Sequence, residues 1–283
     1  MKSIRIKCPA KINLTLEIVN RREDGFHNIK SIMQLISLYD YLNITYEDSN
    51  KLEIFLSGTS KDIPYDEKNL VYKAAKIFCD KTNLTGKISI FIEKNIPIAA
   101  GLAGGSTDAA GTLYGLNKLL NTPLLDEDLE KLCASLGSDL NVCLNGGCLL
   151  ATSRGENTKK INDINYPVTL IKPKRLGISA KEAYTKYASK TFKPQYNKTE
   201  KMLQAINNND DIKEFLYNDL EYAVYDDYKE LQTIKKYFPQ AIMSGSGSTY
   251  FILENSIKFD LYDDYEIYDN LKFINHGVIE AEN

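Results

Sequence analysis

Residues 97–111 read PIAAGLAGGSTDAAG, and this stretch decides the fold. Three glycines, Gly101, Gly104 and Gly105, crowd into a short loop. Without a Cβ they accept positive φ and let a ligand approach the main chain. Ser106 reads as the N-cap of a helix whose Ala109, Ala110, Leu113, Leu116, Leu119 and Leu120 share a face. Just upstream, KISIFIE (residues 87–93) alternates Ile88, Ile90 and Ile92 with Ser89 and Phe91, the pattern of a strand. Strand, glycine-rich loop and helix N-terminus together make an anion site, because free N–H groups and the helix dipole converge there. The Lys-Ser/Thr pair that closes a Walker-type loop is missing, since Gly105 is followed by Ser106, Thr107 and Asp108. A tight turn that merely packs a strand on a helix has the same signature.

The surrounding chain has 283 residues, 43% hydrophobic and 26% charged, as expected of a soluble globular protein of one large or two ordinary domains. A formal net charge of −3 gives no general attraction to nucleic acid or anionic membrane. Neither is expected as a partner, and a phosphate ligand must be held by local groups. Cys8, Cys79, Cys133, Cys143 and Cys148 are scattered and form no CxxC. They read as structural thiols of a reducing cytoplasm rather than zinc ligands. The first residues, MKSIRIKCPAKINL, are charged and lack the apolar core of a signal peptide, and no uncharged run approaches a membrane span.

Taken in order, KINLTLEIV (residues 11–19) sends Ile12, Leu14, Leu16 and Ile18 one way and Asn13, Thr15 and Glu17 the other. This predicts a half-buried strand, on which Lys11 and Asn13 ordinarily face solvent. Glu23-Asp24-Gly25 is a turn signal, and Phe26 and His27 open another extended segment. Strands are expected through residues 31–54, then a helix after Asp66–Asn69. Asp126 is expected to cap a helix closed by Gly137. Asp139 then enters an apolar segment read as a buried strand, either as a functional carboxylate or as an Asx-type cap. Gly146-Gly147 and SRGEN (residues 153–157) suggest a hairpin followed by a boundary. Helices are expected at 179–188, 198–207, 211–217 and 226–237, and MSGSGSTYFIL (residues 243–253) is a second glycine turn entering an apolar strand.

PAKINL (residues 9–14), PIAAGLAGGSTDAA (97–110) and SGSGSTYF (244–251), in this order and spacing, resemble the GHMP kinase superfamily. The opening PAKINLTLEIVNRREDGFHNI, LGSDLNVCLNGG (136–147) and ATSRGE (151–156) are similar to the branch whose acceptor is a cytidine diphosphate-linked methylerythritol, in the non-mevalonate route to isoprenoids. The likeness spans the chain and is densest over residues 8–155. It implies a two-domain α+β fold, residues 1–155 and 156–283, with the active site in the cleft between them. It implies transfer of the γ-phosphoryl group of ATP to the 2-hydroxyl of that acceptor. Asp139 matches the family's proposed base and Lys11 its partner. A cation beside a carboxylate favours the charged form and can stabilise charge developing on alkoxide and phosphoryl oxygens.

By the same resemblance, Pro97, Ile98, Ala99, Ala100, Gly101, Leu102, Ala103, Gly104, Gly105, Ser106 and Thr107 form the nucleotide-phosphate loop. Mg²⁺ would ride on the phosphates near Ser106 or Thr107. Asn69 and Lys94 match positions at the adenine and ribose end. Asn13, Phe26 and His27 match the acceptor side, with His27 bonding the cytosine edge and Tyr184 stacking on the base. Relatives often have Tyr at Phe26, other residues at Leu140, Asn141 and Cys143, and proline at Ser248, a change expected to loosen that turn slightly. A kinase of another small alcohol, or a silent ligand-binding regulator, is the rival reading; a monomer or weak homodimer is expected.

Overall fold

The computed structural model describes residues 1–190, 197–258 and 263–282. The chain opens with β1 (Lys2–Arg21), β2 (His27–Glu47) and β3 (Leu52–Gly58), then α1 (Leu70–Thr82), β4 (Gly86–Glu93), α2 (Gly104–Leu119), α3 (Asp126–Leu136) and α4 (Leu140–Asn145). It continues through β5 (Cys148–Ser153), β6 (Asn157–Lys160), β7 (Pro167–Pro173), α5 (Ala180–Ser189), α6 (Lys198–Asn208), β8 (Tyr217–Asn218) and α7 (Asp219–Val224). The last elements are α8 (Lys229–Tyr237), β9 (Ile242–Met243), β10 (Tyr250–Ile252), β11 (Tyr265–Lys272) and β12 (Ile279–Glu280).

Among the described residues, two sheets organise this α+β fold. The larger follows the order β12-β1-β2-β4-β3, with β5 and β6 continuing from β2, and β8 on β1; the smaller is β11-β7-β10-β9. The spine is the long antiparallel pair β1–β2, whose register shifts at Pro9/Ala10, Asn13/Thr15 and Ile18/Asn20. The halves of β2 have different neighbours: Ile29–Gln34 pair with β5, and Tyr41–Glu47 with β4. Such bulges bend a long pair and strengthen its twist, so its ends serve different layers.

One core lies where α1 and α2 cover the first half of the sheet, joining Ile6, Leu42, Ile44, Phe78, Leu113 and Leu116. Burial of a leucine such as Leu113 stabilises by about 2 kcal/mol. Helix α2 sits close: a Cβ added at Gly111 would lie 2.4 Å from the sulfur of Cys8. A second core joins Leu16, Met33 and Leu35 to Leu220, Val224, Ile234 and Tyr250. The polar face of β1, expected in solvent, is therefore covered: Lys11, Asn13 and Thr15 are all buried.

Several local expectations change. Helix α2 begins at Gly104, with Ala103 at the N-cap in the left-handed region, so Ser106 lies inside the first turn. The α3 cap is Leu125, one residue before Asp126. The segment after Asp139 is the short helix α4, not a strand. SRGEN supplies the β5–β6 turn, and the boundary expected after residue 155 falls within that hairpin, which is part of the larger sheet. Residues 211–217 hold a single 3₁₀ turn, Lys213–Phe215, before β8, because Tyr217 and Asn218 are drawn into pairing with Thr15 and Leu16. Helix α8 starts at Lys229, three residues later than expected, and α7 was not anticipated. Ser248 is buried and donates its hydroxyl to Leu176 O, so the last glycine turn is tied rather than loosened.

Candidate active site

Two glycine turns from distant parts of the chain meet at the site. Gly101 has φ +75°, and a Cβ there would lie 2.0 Å from Ser244 O. Gly245 has φ +53°, and its Cβ would stand 2.9 Å from Gly101 O and 3.1 Å from Lys11 Nζ. Only glycine meets both the backbone and the contact requirement at such positions. The Gly101 carbonyl accepts from Ser244 Oγ at 2.9 Å and from Lys11 Nζ at 3.1 Å. The amide of Lys11 in turn donates to Leu102 O at 3.1 Å, so β1 and the loop are joined twice.

Lys11 is held by this carbonyl and by Asn13 Oδ1 at 2.7 Å; Asn13 Nδ2 donates to Ser31 Oγ at 2.9 Å. Its ammonium lies 3.5 Å from Asp139 Oδ2, with the Lys11 side chain 4% exposed and that of Asp139 30% exposed. Asp139 occupies the N-cap position of α4 yet makes no side-chain cap hydrogen bond. The Asx-cap alternative therefore falls, and the carboxylate is left open to a ligand on one side and to the lysine on the other. Asn141, just beyond, donates to Glu156 O at 3.1 Å.

A cavity of about 930 Å³ is lined by Lys11, Asn13, Gly101, Ala103, Ser106 and Asp139. Phe26, His27 and Tyr184 line it as well. The rings of His27 and Tyr184 stack with centroids 5.2 Å apart and planes at 16°, and Tyr187 meets His27 edge-on at 5.9 Å. Burial first, then the charge of Arg21, pushes the His27 imidazole below 6.5. Burial, reinforced by Asp139, raises the Tyr184 hydroxyl. Phe26 is exposed, with the Arg154 guanidinium 5.3 Å from its ring centre. Arg21, Arg154 and Lys181 also line the cavity, and sequence reasoning singled out none of them. Their only signal is charge, which surface residues share.

A smaller cavity of about 270 Å³ lies across the loop and is lined by Asn69, Lys94 and residues 97–105. Gly101 and Ala103 line both cavities. The N-terminus of α2, whose first amides have no intrahelical partner, thus stands at their junction. Asn69 is the N-cap of α1: its Oδ1 accepts from Val71 N at 2.9 Å and its Nδ2 donates to Pro64 O at 2.6 Å. Lys94 is 6% exposed in its side chain and bridges Asp40 and Asp108. Burial pulls its ammonium pKa down, but the two carboxylates prevail and raise it. Asp108 is raised by burial and by Asp40, against the opposing pull of Lys94. Thr107 lines neither cavity; it is fully buried and its amide donates to Ala103 O.

Residues 69–149 match the GHMP kinases N terminal domain, which fixes the class: the protein is an ATP-using small-molecule kinase of GHMP type. The 4-diphosphocytidyl-2-C-methyl-D-erythritol kinase of Bacillus cereus (strain B4264) is 40% identical over 257 residues, covering 87% of this chain and 86% of its own. The enzyme of that name from Caldanaerobacter subterraneus subsp. tengcongensis is 38% identical over 262 residues, covering 90% and 89%. A crystal structure of 4-(cytidine 5'-diphospho)-2C-methyl-D-erythritol kinase superposes with a TM-score of 0.78 at 27% identity, over 96% of this chain and 100% of that one. The chain belongs to the 4-diphosphocytidyl-2-C-methyl-D-erythritol kinase family.

Proposed function

We propose that the protein transfers the γ-phosphoryl group of ATP to the 2-hydroxyl of 4-diphosphocytidyl-2-C-methyl-D-erythritol, releasing ADP, on the non-mevalonate route to isoprenoids. The observation that carries this reading is the Lys11–Asp139 pair, 3.5 Å apart, in a cavity that Ala103 and Ser106 of the α2 N-terminus and the His27–Tyr184 ring pair also line. Phosphoryl transfer needs alignment, charge neutralisation and a group that orients the nucleophile.

In this reading Asp139 accepts a hydrogen bond from the 2-hydroxyl and orients it, taking its proton as the bond to phosphorus forms. Lys11, fixed by Asn13 and the Gly101 carbonyl, faces the oxygen that gains charge. Residues 97–106 hold the nucleotide phosphates through the loop and the α2 amides, and the smaller cavity takes the nucleoside. Neutral His27 hydrogen-bonds the cytosine edge while Tyr184 and Phe26 offer flat faces to the base; the His27–Tyr184 stack opens to admit it.

Mg²⁺ suits this donor set as an ion carried mainly by phosphate oxygens. Among the described residues no group of three or more His, Cys, Asp or Glu could hold a metal, while Ser106 brings a hydroxyl to the cavity. The ion, when bound, would neutralise phosphate charge. Among the described residues no helix is long and apolar enough to cross a membrane, and all five thiols are buried and free, in keeping with a cytoplasmic enzyme.

The test is ADP release by the purified chain with Mg-ATP and the cytidyl substrate, beside mevalonate, homoserine and galactose. Turnover with the cytidyl substrate alone supports the assignment. Turnover with another alcohol keeps the Lys11–Asp139 chemistry and discards the cytosine pocket, and ATP binding without turnover leaves a silent binder.

A further inference from the structure

Asp40 lies on β2, far along the strand from His27, and is fully buried. Nothing in its sequence setting, LYDYL, marks it. Its Oδ1 accepts from the amides of Asn95 at 2.6 Å and Ile96 at 2.8 Å. Its Oδ2 takes the ammonium of Lys94, which also donates to Asp108 Oδ2 at 2.8 Å on α2. One carboxylate thus ties β2 to the segment leaving β4, and through Lys94 to the helix that follows the loop. A buried carboxylate persists only when its oxygens are satisfied, and here each is.

We infer that Asp40 is a positioning residue for nucleotide binding: by fixing Lys94 and the Asn95–Ile96 backbone it sets the path of residues 97–103 around the smaller cavity. This rests on the nucleotide reading of that cavity. The effect should be confined to one substrate. Lys94, Asp108 and the start of the loop line the smaller cavity, and none of Asp40, Lys94 and Asp108 lines the larger. In Asp40→Asn the shape is kept, but an amide NH₂ must now face either the Lys94 ammonium or two backbone N–H groups. Donor then opposes donor, and the segment ahead of the loop is released.

The experiment is calorimetric titration of the full chain with Mg-ADP, wild type against Asp40→Asn, with steady-state kinetics on both. The expected result is an ADP Kd and a KM for ATP raised at least about ten-fold, with the acceptor KM within about three-fold of wild type at saturating ATP. Equal ADP affinity in the two proteins overturns the inference, and so does a parallel rise in both KM values, the mark of general loosening. Absence of ADP binding by the wild type instead removes the nucleotide reading itself. Should Asp40→Asn not fold, hydrogen exchange on the wild type decides. The Asn95 and Ile96 amides should be protected as strongly as those of β4, and rapid exchange at both refutes the clamp.

Discussion

Gly101→Ala is the sharpest test of how the glycine-rich loop is built. Its Cβ would lie 2.0 Å from Ser244 O, while real Cβ atoms essentially never come within 3.0 Å. The two glycine turns must therefore separate by about 1 Å, enough to push the 2.9 and 3.1 Å bonds from Ser244 Oγ and Lys11 Nζ out of good range. Two weakened bonds cost about 1 kcal/mol each. Holding alanine at φ +75° adds roughly 1–2 kcal/mol. The total, on the order of 3 kcal/mol, lowers Tm by roughly 5 °C, given an unfolding entropy of about 2 cal/mol/K per residue over 283 residues. The catalytic effect is separate: Lys11 loses its carbonyl anchor, and a misplacement of about 1 Å in a reacting group costs about 100-fold in kcat. Thermal unfolding and the ADP-release assay on one preparation measure both. A variant with unchanged Tm and kcat within about three-fold of wild type refutes the argument that the loops' close approach sets the Lys11 position.

Asp139→Asn should lower kcat by roughly 10³-fold or more, with ADP and acceptor binding nearly intact; near-normal turnover would remove Asp139 from the chemistry. His27→Ala should raise the acceptor KM at least about ten-fold and leave the KM for ATP alone, whereas equal changes would misplace the cytosine pocket. His27 should titrate below 6.5 by NMR, because burial and Arg21 both disfavour the imidazolium. Folding thus favours the neutral ring: its contribution is complete above pH 6.5 and is lost as pH falls from there toward the depressed folded value. Arg21→Gln should move the midpoint up, and a wild-type midpoint at or above 6.5 would contradict this picture.

Much of the candidate site's local structure is legible in sequence because its signals are local. The crowded glycines, the helical spacing behind them and the alternation in residues 87–93 each reflect backbone rules acting over a few residues. What escaped depends on partners far along the chain. By alternation alone Lys11 and Asn13 fall on a solvent face, and only the motif resemblance places them in a site, since nothing nearby discloses that α6, α7 and β8 pack on β1. Ser106 is the residue type that favours an N-cap, yet Ala103 takes the left-handed turn and the helix starts on the glycines themselves. The resemblance puts Lys94 at the adenine and ribose end; it lines the smaller cavity, but its ammonium is committed to Asp40 and Asp108. The 211–217 helix fails because Tyr217 and Asn218 are claimed by β1.

The pairing of β1 also bears on how the chain emerges from the ribosome. Its partner on one side, β2, follows at once, but the strands on its other side, β8 and β12, arrive only with residues 217–218 and 279–280. At about 5–20 residues per second, that edge of the nascent hairpin stays open for roughly ten seconds or longer. An open edge invites pairing with a neighbouring chain on the same message. Lys2, Arg5 and Lys7, set among Ile4 and Ile6, place charge along the part of that edge where β12 later pairs with Ile6 and Lys7, the pattern that discourages edge-to-edge pairing.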